Sequence, residues 1–173
     1  MESTNLDKVH QLMNTVQTMG TQIDAMVNDL IGDVIIPLDN YLVTVRKCFL
    51  DNTEILDDDL NRIALQIPVY LYQLIELTQK LERQKAISKE QASFSKNDAL
   101  LNSTGTVVEK TAKAENSTTD DRLTQLVFSS ALSLLQKKIE GAMVILDSVK
   151  KVQAQRNKEK ALTNMAGSAV GAF

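Results

Sequence analysis

Apolar side chains at Leu6, Val9, Met13, Val16, Ile23, Val27, Leu30 and Val34, with Gly20 holding one place among them, follow each other in alternating steps of three and four. That spacing is a heptad seam, and a helix that carries one must lay it against another helix. A second seam runs Leu56, Leu60, Ile63, Ile67, Tyr70, Leu74, Leu77, Leu81. A third carries Leu123, Val127, Leu134, Leu135, Ile139, Ala142, Leu146 and Val149, and fades after Val152. Among 173 residues there are only six glycines, two prolines, four phenylalanines, three tyrosines and no tryptophan. A β-sandwich or barrel needs far more turn residues and aromatic or β-branched faces. The sequence therefore predicts an all-α fold: long amphipathic heptad helices in an elongated helical bundle. Seams of this length also predict a homo-oligomer, with Leu6, Val9, Met13, Val16, Ile23, Val27 and Leu30 as its contact residues.

Breakers divide the chain. Ser3 or Thr4 caps the first helix, and Asp7 sits where the helix dipole favours an acid. Pro37 is expected to end or kink that helix, because its nitrogen has no proton for the internal ladder. The expected domains are then an acidic heptad helix over residues 1–36 and a helical core over 38–162. In that core a short helix through Leu38, Leu42, Val45 and Phe49 is broken at Asp51-Asn52. Asp57-Asp58-Asp59 reads as an N-cap and first turn, and Pro68 as a kink or a restart. Residues 95–121 read as a polar linker, with a turn at Ser103-Thr104-Gly105-Thr106, a short amphipathic element through Val107 and Val108, and a cap near Asp120. Residues 163–173, small and apolar, are expected to be a mobile tail.

Charge is unevenly spread. The net value is −3, but residues 1–61 hold eleven acids against Lys8, Arg46 and Lys47, which makes them −8 and the remainder +5. The two parts face different partners, or each other, or the helices simply wear mixed charged faces. Apolar residues at 43% and charged residues at 24% exclude a disordered chain. No apolar run approaches the ~18–20 residues that span a bilayer, so no membrane partner is expected. Glu2 and Asp7 stand where a signal peptide would be basic and then apolar, and a lone Cys48 fits a reducing compartment. The expected location is cytoplasmic, and the Asn102-Ser103-Thr104 and Asn116-Ser117-Thr118 sequons read as chance.

Catalytic machinery is hard to find. His10 is the only histidine and has no cysteine at zinc-ligand spacing, and Cys48 beside Phe49 reads as a small buried hydrophobe. The glycines are isolated, which excludes a phosphate-binding loop or a nucleophile elbow. No enzyme activity and no cofactor are expected. The basic stretches carry the functional reading instead. Lys80, Arg83, Lys85, Lys89 and Lys96, against Glu82 and Glu90, give a local excess of +3 where the second seam turns polar. Lys150, Lys151 and Arg156 lie on the basic end of the last helix. Cations placed so can follow a phosphate backbone and release its condensed counterions. Phe94 is the one aromatic beside the first cluster, so binding to a single strand would be mainly electrostatic, with affinity built from several protomers.

The order of features over residues 38–160 resembles the UvsY-type recombination mediators of tailed phages. The resemblance lies in Leu38-Asp39-Asn40-Tyr41-Leu42 to Lys47, an Asp-containing break, Leu56 to Leu60, and Ile67-Pro68-Val69-Tyr70-Leu71-Tyr72 leading into a helix that turns basic at Arg83-Gln84-Lys85. A polar middle and a last helix with a basic end, Lys150-Lys151 to Arg156, complete it. It implies an oligomeric protein that binds single-stranded DNA and helps load a recombinase onto strands coated by a single-strand-binding protein, in the host cytoplasm. The family's basic contacts would fall on Arg83, Lys85 and Lys89. Residues 1–36 have no counterpart in the pattern; they would pair with another protomer or compete with DNA for the basic surface. The rival expectation is a structural or scaffolding coiled-coil protein of a phage virion or its assembly.

Overall fold

Four helices account for nearly all of the described residues. The computed structural model describes residues 2–50 and 55–170, with the side chains of 2–6, 116–117 and 166–170 left aside. Helix α1 spans Glu2–Leu50, α2 Asp57–Asn102, α3 Val107–Ser117 and α4 Thr119–Val170. There is no strand among the described residues, and the fold is all-α. The expected break at Asp51-Asn52 lies outside the described residues.

Neither proline breaks its helix. Pro37 lies inside the 49-residue α1 and Pro68 inside the 46-residue α2. Each removes one internal hydrogen bond, but both rings sit on exposed faces. Asp33, whose carbonyl Pro37 leaves without its helical donor, is exposed, Ala64, its counterpart at Pro68, is half-buried, and both helices run on. The separate helix expected to begin at Leu38 is therefore the second half of α1.

The stretch expected to be a linker is also mostly helical. α2 continues to Asn102, and only residues 103–106 separate it from α3. Thr106 and Glu109 form a capping box: the Thr106 N–H donates to Glu109 Oε2 at 2.9 Å, and the Glu109 N–H to Thr106 Oγ1 at 3.4 Å. Those bonds hold the Glu109 carboxyl below its usual range. Gly105, at φ 128°, lets the chain turn into that cap. Thr118 then joins α3 to α4; it is buried, and its carbonyl accepts the Arg122 N–H at 3.0 Å.

The helices form two compact units. The first takes α1 up to Asp33 together with Glu76–Leu135. Its core is Val27 and Ile31 from α1, Leu81 from α2, Ala114 from α3, and Val127, Ala131 and Leu135 from α4. Within the stretch expected to be an acidic N-terminal helix, Val27 and Ile31 belong to this core and Ile35 to the other. The second unit takes Val34–Ile75 together with α4 from Gln136. In it Ile35, Leu38 and Val45 meet Leu60, Ile63, Ile67 and Leu74 of α2 and Ala142, Leu146 and Val149 of α4. Each of the larger side chains, Ala142 aside, is worth roughly 1.5–3 kcal/mol of burial. Within this unit α2 runs antiparallel to α4, because Asp57 meets Lys160 while Asn61 accepts a 2.8 Å bond from Gln153. The Tyr41 and Tyr70 rings pack at 5.5 Å.

The buried stripe of α2 is the predicted seam from Leu60 to Leu81, with Leu56 left exposed. In α4 the fully covered positions are 127, 131, 135, 142, 146 and 149, with half-buried Lys138 filling the one gap. Steps of four, four and three make an eleven-residue repeat of about 3.67 residues per turn, near the α-helix's own period. α4 remains helical to Val170, past Val152 where its apolar seam fades.

Candidate nucleic-acid interface

The basic stretch of α2 lies in the first unit and does not form one track. Its seam does not run out at Leu81; it changes chemistry. Lys85 is half-buried, Ser88 is buried at 9% exposure and Ala92 is half-buried, continuing the steps of four, three and four. A lysine at such a position lays its stem along the covered face and sends its ammonium outward. Successive residues turn by about 100° around a helix. Lys80 and Arg83 therefore share a stripe with Ile87, Phe94 and Leu101, whereas Lys89 and Lys96 lie about half a turn away, at the edge of the covered face. Lys80, Arg83, Lys89 and Lys96 are exposed. The Arg83 Nε donates to the Gln79 carbonyl at 3.3 Å, which aligns its side chain with the helix. None of these five cations makes an ion pair among the described residues.

On α4, in the second unit, Lys150 and Lys151 are likewise exposed. Arg156 is not free. Its guanidinium donates to Asp57 Oδ1 at 3.0 Å and to the Ile55 carbonyl, clamping α4 onto the start of α2. Lys160 donates to the other oxygen of Asp57. These bonds, from Lys160 first and Arg156 second, hold the Asp57 carboxyl below its ordinary range. Asp57 also opens α2, where the helix dipole favours an acid.

A pairing across the two charge classes is what sequence reasoning missed. Lys138 bonds to Asp39 at 2.6 Å, and together with the two contacts of Asp57 every ion pair found among the described residues joins an acid from residues 1–61 to a base beyond them. The charge asymmetry was the available signal; of its three readings, these contacts follow the one in which the parts face each other.

The seam residues expected to make an oligomer divide. Val9, Met13 and Val16 are 50%, 63% and 67% exposed, Ile23 and Leu30 are half-buried, and Val27 is consumed in the first unit's core. Leu6 lies outside the described side chains. A Cβ added at Gly20 would meet nothing within 4 Å, so that gap is not a close approach among the described residues.

Cys48 is exposed, against expectation, at the rim of a pocket of about 200 Å³ lined also by Tyr41, Val45, Asp59 and Arg62. The Tyr41 hydroxyl is buried without a hydrogen-bond partner among the described residues, and that burial raises its pKa. His10 is exposed on α1. No cluster of three or more His, Cys, Asp or Glu is placed to hold a metal among the described residues. No described helix is long and apolar enough to cross a membrane. No family model, curated protein or solved structure matches the chain.

Proposed function

We propose that the chain is a non-enzymatic accessory protein of recombination that binds single-stranded DNA in the cytoplasm and helps a recombinase displace the strand's coating protein. The observation that carries this reading is the set of exposed cations without an acidic partner among the described residues: Lys89 and Lys96 on α2, Lys150 and Lys151 on α4, while Lys80 and Arg83, equally exposed, share their face of α2 with Glu90 and Asp98. Basic side chains held on helical scaffolds suit a repeating anionic backbone. The resemblance of residues 38–160 to phage mediators supplies the recombination setting and the coating-protein and recombinase partners. The mechanism is binding: each phosphate neutralised releases counterions, and several protomers on one strand multiply a weak contact.

The test is oligonucleotide binding across a salt series. Replacing Lys89 and Lys96 by Ala, or Lys150 and Lys151 by Ala, should lower affinity and flatten the log–log salt slope by about 1.4, at roughly 0.7 per single-strand phosphate. Arg156→Ala, whose partner is Asp57, should weaken the fold and leave the slope nearly unchanged. Unaltered affinity in both lysine pairs would overturn the reading.

A second reading, a scaffold protein of a virion or its assembly, is favoured by the exposed stripe at Val9, Met13 and Val16. A scaffold keeps its mass when those lysines are removed and has no oligonucleotide affinity to lose.

A further inference from the structure

Within the first unit, α2 wears a second apolar stripe on the side away from its core. Ile87, Phe94 and Leu101 recur at steps of seven and are 57%, 71% and 82% exposed. Lys80 occupies the position seven residues before Ile87, and Arg83, Glu90 and Asp98 lie along the same face, all of them exposed. Three large apolar side chains in register are the mark of a surface that another helix covers.

The charges on that stripe identify the helix. We infer that α2 pairs antiparallel with α2 of a second copy of this chain, about a two-fold axis between Glu90 and Gln91. This axis sets Ile87 opposite Phe94 of the second copy, Arg83 opposite its Asp98, and the aliphatic stem of Lys80 opposite its Leu101. By symmetry every pairing occurs twice, so the patch is self-complementary as an isologous dimer requires. A parallel pairing would stack Arg83 on Arg83 and Asp98 on Asp98. Sliding the antiparallel pair by one heptad sets Asp98 against Glu76 in one direction and against Glu90 in the other. All three alternatives set like charges against each other and forfeit the Arg83–Asp98 pair, which only this register forms, and forms twice; its one like-charge approach, Glu90 to Glu90 of the second copy at the axis, is outweighed by those two pairs.

The two charged groups are available for this. The Arg83 guanidinium spends only its Nε on the Gln79 carbonyl, at 3.3 Å. The Asp98 carboxylate accepts one bond, from Asn102 Nδ2 at 2.8 Å, and has no cation among the described residues. Glu90 and Asp98 also argue against this stripe as a platform for nucleic acid, because they would sit against phosphates. A pair of stripes this short lies at the small end of protein interfaces, below the ~1,200–2,000 Å² of stable ones, so the dimer should depend on concentration.

This inference goes beyond the DNA-binding reading and is tested without DNA. Sedimentation velocity of the full chain over a wide concentration range should show a twofold rise in mass. Arg83→Glu and Asp98→Arg should each abolish that step, and the double variant R83E/D98R should restore it. Both substitutions are at exposed sites, so unchanged circular dichroism in all three variants confirms folding. Lys89→Ala with Lys96→Ala should leave the mass step intact, which separates this dimer from the proposed DNA surface. A wild-type mass that never doubles, a step indifferent to Arg83→Glu, or a double variant without rescue would overturn the pairing. So would a monomer whose oligonucleotide binding falls on Phe94→Ser, since Phe94 would then be a base-stacking platform.

Discussion

Val9, Met13 and Val16 on α1 and Leu60, Ile67 and Leu74 on α2 obey the same heptad spacing and meet opposite fates. The first three are at least half exposed, and the second three are fully buried. Spacing decides that a stripe exists and which residues share it. What covers the stripe is decided by the other helices: α2 finds α1 and α4 within the second unit, whereas α1 before Ile23 finds no covering element among the described residues. The same contrast holds for cations. Arg156 is committed to Asp57 and the Ile55 carbonyl, while Lys150 and Lys151, a turn and a half earlier, are exposed.

That contrast is broken most severely from the buried side. Ile67→Ala removes a fully buried side chain next to Pro68 and should cost about 2–5 kcal/mol, read as a lower urea midpoint with an unchanged slope. Next in size is Thr106→Ala, which opens the capping box of α3. It should cost about 1 kcal/mol, and Glu109→Ala should add little once Thr106 is gone, because the two bonds are reciprocal.

Acid should act on the Asp57 clamp in a definite direction. A carboxyl held below its usual range contributes stability that is complete above its unfolded value and is lost as pH falls through the folded one. Lys160 and Arg156 are the groups that face it. Denaturation at neutral pH and at about pH 3 should therefore show a smaller acid loss in Asp57→Asn than in the unaltered chain. Exposure of the clamp keeps this effect below that of the cap. The smallest change belongs to Val16→Ser, which should shift folding stability by no more than about 0.5 kcal/mol. A larger loss would mean that the α1 stripe is covered after all.

Much of the architecture was legible before any coordinates. The α2 seam from Leu60 to Leu81, the buried Val127, Leu135, Ala142, Leu146 and Val149 of α4, and the turn at Gly105 all follow from local periodicity and local turn chemistry. What was not legible depends on surroundings. Pro37 and Pro68 stop a helix only where the freed carbonyl is trapped, and their exposure is a tertiary fact. Lys85 counts as a surface cation in a sequence, yet it is half-buried and continues the covered stripe. The contacts of Arg156 with Asp57 and of Lys138 with Asp39 each link residues 99 positions apart, beyond the reach of any window. The split of Lys80 and Arg83 from Lys89 and Lys96 follows from helical geometry alone, whereas the burial of Ser88 and the half-burial of Lys85 and Ala92 depend on the neighbouring helices.

The most direct measurement is the salt dependence of single-stranded oligonucleotide binding by the full chain. If Lys89, Lys96, Lys150 and Lys151 hold phosphates, log affinity should fall against log salt with a slope between about −2 and −3 for three to four contacts per chain. No binding in dilute buffer, or a slope near zero, would contradict it.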